Sequence, residues 1–201
     1  MNTLKVEKRD MKTKAKRLRR EGFVTGNIFG KKIEGSIPVK MTAKDADDLF
    51  RTCRKGSQLL VDLEGKELDV LIKEMDYDSM KHQILEIDFQ ELVKGEMVNS
   101  VAEVVLLNHD SVKEGIIELD LTEIAYRATP DALVEKVEID MSKLKLGDEV
   151  LVKDLPLASN EKITLQNALD DCVVKIVEPH ITIEEEETDE EETETEETVT
   201  E

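Results

Sequence analysis

Three consecutive segments, QLLVDLEG (58–65), ELDVLIKEMDYD (67–78) and HQILEIDFQEL (82–92), alternate aliphatic with polar side chains and are separated by short links. A period of two places one face of an extended chain in a core and the other in water. Links this short suit antiparallel neighbours, and LEGKEL (63–68) predicts a hairpin with Glu64-Gly65 at its tip. Upstream, TLKVEKR (3–9), VTGNIFG (24–30) and SIPVKM (36–41) read as further strands. Their spacing and turn glycines predict an antiparallel sheet closing into a small β-barrel. The chain has no Trp, two Tyr and four Phe, so its cores must be aliphatic.

Two stretches break the strand pattern. TAKDADDLFRTC (42–53) predicts a helix capped by Thr42, with Ala46, Leu49, Phe50 and Cys53 on its inner face. KTKAKRLRREG (12–22) predicts a short basic helix. Met11, Ala15 and Leu18 fall at i, i+4 and i+7 on one side, and Gly22 stands where a C-cap glycine would.

Lys94-Gly95-Glu96 reads as a boundary between a barrel domain (1–93) and a second β-rich domain (94–183). In the latter, MVNSVAEVVLL (97–107), GIIELDLTEIAYRAT (115–129), KVEIDM (136–141), DEVLVKDL (148–155) and DCVVKIVEP (171–179) each read as a strand, with one helical turn after Pro130. Residues 184–201, EEEETDEEETETEETVTE, carry too little apolar surface to offset chain entropy and read as a disordered acidic tail. The fold class is therefore mainly β with short helices.

Charge is unevenly placed. Residues 1–93 hold nineteen Lys/Arg against seventeen Asp/Glu, a net of +2; residues 94–183 hold nine against eighteen, a net of −9; residues 184–201 hold twelve acids and no base. Residues 1–22 alone carry nine bases and three acids. A dense cationic surface on an otherwise acidic chain points to a polyanion, because phosphates bind such surfaces by releasing counterions. The alternative is a solvated basic helix. A membrane-surface helix fits less well, since Met11, Ala15 and Leu18 make a thin apolar face.

Catalytic constellations are lacking. His82, His109 and His180 match no metal-ligand spacing, no Gly-rich phosphate loop precedes a helix, and GxSxG is missing. The expectation is a non-enzyme without metal or cofactor. Cys53 and Cys172 read as isolated, buried, reduced thiols, a single bridge between them being the minor reading. No apolar run approaches membrane-spanning length and no secretory h-region is present, so a soluble cytoplasmic protein is expected.

Three motifs in order carry a resemblance. KAKRLRREGFVTGNIFG (14–30), VLIKEMDYD (70–78) followed by ILEIDF (84–89), and EIDMSKLKLGDEVLVKDLPL (138–157) resemble the bacterial large-subunit ribosomal protein family numbered twenty-five, in its long two-domain form, the general stress protein Ctc type. The resemblance covers roughly residues 3–180 and implies a ribosomal protein whose N-terminal barrel binds 5S rRNA in the central protuberance of the large subunit. It implies RNA contacts from Lys12, Lys16, Arg17, Arg19 and Arg20, to which Lys14, Arg9, Lys31 and Phe29 are added as candidates. Thr13 and Ala15 lie where the family tends to have Gly and Ser, Thr25 where it has Pro, and Phe29 where it has Tyr. Asp76 stands where Gln is typical and Glu86 where His is typical. A carboxylate offers acceptors only and repels phosphate, so a second reading stays open: a divergent, stress-associated interaction module with weakened or lost 5S rRNA binding. Neighbouring ribosomal proteins are candidate partners of the second domain, no membrane is expected, and the protein is expected to be a monomer off the ribosome.

Overall fold

Alternating, mainly aliphatic side chains build two separate cores here, with Phe89 buried in the first and Tyr126 in the second. The structure is a computed structural model that describes residues 3–112 and 115–178. Six strands form the first unit: β1 (Thr3–Lys8), β2 (Phe23–Phe29), β3 (Ser36–Thr42), β4 (Gln58–Leu63), β5 (Lys66–Asp78) and β6 (Gln83–Glu91). They close into a barrel in the order β1-β3-β2-β6-β5-β4. The β1–β4 and β2–β6 seams are parallel and the other four antiparallel. Closure abolishes free sheet edges, and Val24, Ile28, Val61, Val70, Ile72, Ile87 and Phe89 fill the interior.

Gly26 makes the β2–β6 seam possible. A Cβ there would lie 2.2 Å from the Ile87 carbonyl oxygen, so only glycine lets the two backbones approach. The β4–β5 hairpin turns at Glu64-Gly65, both with positive φ; this is a primed turn, matching the strand twist although Glu-Gly signals it weakly. Helix α2 (Ala43–Thr52) begins where Thr42 Oγ1 accepts from the Asp45 amide at 3.1 Å. It buries Ala46 and Leu49 and ends at buried Cys53, with Phe50 packed half-buried beside the core.

The second unit has two sheets over a common core. One runs β10 (Lys136–Asp140), β7 (Val98–Leu107), β9 (Glu123–Ala128), β12 (Ile163–Leu165); the other runs β11 (Glu149–Leu151), β13 (Cys172–Val177), β8 (Ile116–Leu119). Ile124, Tyr126, Val137, Val173 and Ile176 pack between them. The stretch 115–129, expected to be one strand, is two strands in different sheets. Between them the Asp120 and Leu121 amides both donate to the Val173 carbonyl, and Leu121 packs on the core, so the chain crosses layers there. The strand expected over 148–155 ends at Leu151, because Asp154 Oδ2 accepts from the Leu151 amide and winds the next residues into a 3-10 turn. Strand β12 shows no sequence signal, since three residues are too few for alternation. The helical turn expected after Pro130 is a 3-10 turn over Pro130–Ala132, with Pro130 as its first residue.

The two units are packed together. Leu71, Leu92 and Val98 form a small apolar cluster with Leu133, and ion pairs Arg54–Glu103 and Lys55–Glu123 cross the seam at 3.9 and 3.6 Å. Cys53 and Cys172 are free thiols; Cys172 is half-buried rather than buried, and burial followed by Asp120 pushes its pKa up. No helix among the described residues is long and apolar enough to cross a membrane. The tail expected over 184–201 lies outside the described residues.

Candidate nucleic-acid interface

The basic segment is a turn followed by a helix, and the turn is longer than its sequence suggests. Asp10 Oδ1 accepts from the Lys12 amide at 2.9 Å and its carbonyl accepts from the Thr13 amide at 3.1 Å. The half-buried Arg9 guanidinium donates to the Thr13 carbonyl at 3.2 Å and closes this turn. These bonds hold Lys12–Thr13 outside the helix, so α1 covers only Ala15–Arg20, with Lys14 at its N-cap and no side-chain cap bond. The expected apolar face of three residues is corrected accordingly. Leu18 is buried and anchors α1 to the barrel, Ala15 is half-buried, and Met11 is exposed in the turn.

Leu18 and the half-buried Arg19 fix which way the helix faces. Arg19 Nη1 donates to the Leu85 carbonyl on β6 at 3.3 Å, committing that guanidinium to the barrel wall. Arg17 Nε pairs with Glu21 Oε1 at 2.8 Å one turn along, and that carboxylate raises the Arg17 pKa. Lys12, Lys14, Lys16 and Arg20 are exposed and have no ion pair among the described residues. Glu21 caps the helix and Gly22 follows with φ +86°.

Strand β2 separates the candidates into two groups. The α1 group stands at its start; Phe29 and Lys31 stand at its end, ~20 Å away at about 3.3 Å per residue. Phe29 is half-buried on the last rung, opposite Ser36 and Gln90. The Lys31 ammonium lies 3.2 Å from Glu96 in the connection between the units.

Between the groups lies a face the sequence did not disclose. Asp76 and Glu86 are directly opposite one another on β5 and β6, and two residues along, beyond the Met75–Ile87 rung, Glu74 pairs with Asp88. Asn27 on β2 donates to both Glu86 Oε1 at 3.0 Å and Asp88 Oδ1 at 3.1 Å. The register shifts between Ile72 and Glu74 and between Asp76 and Tyr77 are bulges that turn these four carboxylates to the same outer face. Asn27, Glu74 and Asp88 were missed because their significance depends on cross-strand register. Among the described residues no group of three or more His, Cys, Asp or Glu is arranged to hold a metal ion. His82 meets the Tyr77 hydroxyl at 3.1 Å and His109 lies beside Asp110; His180 is outside the described residues.

Comparison with known proteins matches both units. Residues 4–89 match the Ribosomal L25p family and residues 97–180 match the family described as Ribosomal protein TL5, C-terminal domain. The large ribosomal subunit protein bL25 of Listeria monocytogenes serotype 4b is 32% identical over 190 residues, 92% of this chain and 89% of the relative. The protein of the same name from Caldanaerobacter subterraneus subsp. tengcongensis is 30% identical over 191 residues, 92% of this chain and 94% of the relative. That from Enterococcus faecalis is 31% identical over 188 residues, 92% of each chain.

Proposed function

The chain belongs to the ribosomal L25p family, and from that membership we propose that it is a cytoplasmic large-subunit ribosomal protein whose barrel binds 5S rRNA within the central protuberance. The observation that carries the proposal is the cluster of exposed cations on a pinned scaffold. Lys12, Lys14, Lys16 and Arg20 project from a turn and helix that Arg9, Leu18 and Arg19 hold against the barrel. Phosphate contacts of this kind set position and supply affinity without reading sequence. Because the scaffold is fixed before binding, little chain entropy is lost on association. Arg17 can contribute after exchanging Glu21 for phosphate, and Arg9 acts mainly by shaping the turn.

In the full chain, affinity for 5S rRNA should fall with salt with a slope of about −0.9 per neutralised phosphate. The four free cations of this segment contribute roughly −3.6 to that slope, by themselves an affinity loss of ~150-fold between about 50 and 200 mM salt. Lys16→Ala/Arg20→Ala should remove half of that contribution. Wild-type binding no tighter than to an unrelated structured RNA would overturn the proposal.

One observation favours the second reading, a divergent interaction module with reduced 5S rRNA affinity. The carboxylate pairs Asp76–Glu86 and Glu74–Asp88 adjoin the basic helix, where they repel any phosphate passing between the ends of β2. Large subunits isolated from cells and free of the protein would favour that reading over the first.

A further inference from the structure

A second cationic cluster lies at the far end of β2, where the two units meet. Lys31 and Lys32 from the β2–β3 loop, Lys94 from the connection and Arg127 from β9 line one open cleft of about 490 Å³, together with Glu96, Gly95, Val93 and Met97. All four cationic residues are exposed. Glu96 is the only carboxylate in the lining and is already paired with Lys31 at 3.2 Å. Four positive groups against one negative group leave the cleft at a net of +3. Lys32, Lys94 and Arg127 form no ion pair among the described residues.

The setting makes this notable chemically. Residues 94–183 carry twice as many acids as bases, yet two of their nine bases turn into this cleft beside two from the barrel. Like charges converging from three chain segments repel one another, and an anion spanning them relieves that repulsion. The docked units, held by the Leu71, Leu92, Val98 and Leu133 cluster, keep the segments in place. The opening is broad and polar, which suits a chain of phosphates rather than an enclosed small molecule. The cleft lies at the opposite end of β2 from the α1 cations, with the carboxylate face between them.

We propose that this cleft is a second phosphate-binding site that grips the backbone of the bound RNA, with Lys32, Lys94 and Arg127 as its contacts. The RNA is thereby held at both ends of β2 and lifted over Asp76 and Glu86, and the second unit takes a direct part in binding. This inference rests on the reading of the barrel as an RNA-binding module.

The test uses the full chain and 5S rRNA at several salt concentrations. Lys32→Gln/Lys94→Gln/Arg127→Gln should weaken binding and make the salt slope shallower by about 2–3, in addition to the effect of Lys16→Ala/Arg20→Ala. RNA should also protect Lys32 and Lys94 from acetylation in the unaltered protein, a readout that needs no variant. If the α1 variant weakens binding while the cleft variant keeps the wild-type slope and Lys32 and Lys94 stay reactive, the cleft proposal fails and the α1 reading survives. If the wild-type protein shows no preference for 5S rRNA, both fail.

Discussion

Removal of a single hydroxyl, Tyr126→Phe, should destabilise the second unit and loosen its hold on the barrel. Tyr126 is completely buried among the residues of the second core. Its hydroxyl accepts from the Val134 amide at 2.8 Å and donates to the Val134 carbonyl at 2.8 Å. Phenylalanine keeps the ring and its packing, so the change isolates these two bonds. A net hydrogen bond contributes about 1 kcal/mol, and a buried group left without a partner costs about 1–3 kcal/mol. Val134 is half-buried, so water reaches part of the freed peptide, and the expected loss is about 2–3 kcal/mol. For a unit of this size that corresponds to a melting shift of roughly 10–20 °C. The effect extends further, because the same segment carries Leu133, which packs on Leu71, Leu92 and Val98, and Glu135, which accepts from the Gln58 amide at 3.4 Å. Thermal melting followed by circular dichroism gives the first readout, and hydrogen exchange at the Val134 amide gives the second. Tyr77→Phe is the control: that ring stacks on Phe50 and its hydroxyl meets only His82 on the surface, so its cost should be small. A shift for Tyr126→Phe no larger than for Tyr77→Phe would refute the reasoning.

Gly26→Ala should open the barrel, since the added Cβ meets the Ile87 carbonyl oxygen at 2.2 Å; a backbone obstacle places the cost at or above about 3 kcal/mol, measurable by urea unfolding. Asp76→Asn/Glu86→Gln removes like charges that face each other across β5 and β6; it should stabilise the barrel by about 0.2–1 kcal/mol and tighten RNA binding in a gel-shift titration. Hydrogen bonds from Asn108 and then Ser142 hold the Asp140 carboxyl down to about 2. Its folded pKa is below its unfolded value, so this stabilisation is complete above about pH 4 and lost as pH falls through about 2. Asp140→Asn should therefore melt lower than wild type at pH 6, with the gap closing by pH 2.

Most of the fold follows from local periodicity. Strands β2 to β6, helix α2 with its Thr42 cap, and the Glu64-Gly65 turn are each visible within a few residues, because a period of two, a capping hydroxyl and a turn glycine act over that distance. The concentration of positive charge near the start of the chain is equally legible, as charge is additive along sequence. Tertiary structure alone decided the rest. The sequence could not show that Asp10 and Arg9 shorten α1, because the Arg9–Thr13 bond depends on a folded turn. Nor could it show that residues 115–129 divide between two sheets, since alternation has the same period on either side of a core. Cross-strand register set Asp76 against Glu86 and Glu74 against Asp88, and the packing of the two units brought Lys31, Lys32, Lys94 and Arg127 into one cleft. Residue type and spacing determined the strands, the helices and the sign of the basic segment; which charges face one another was settled only by closure of the barrel and docking of the second unit, because those distances are set by residues remote in sequence.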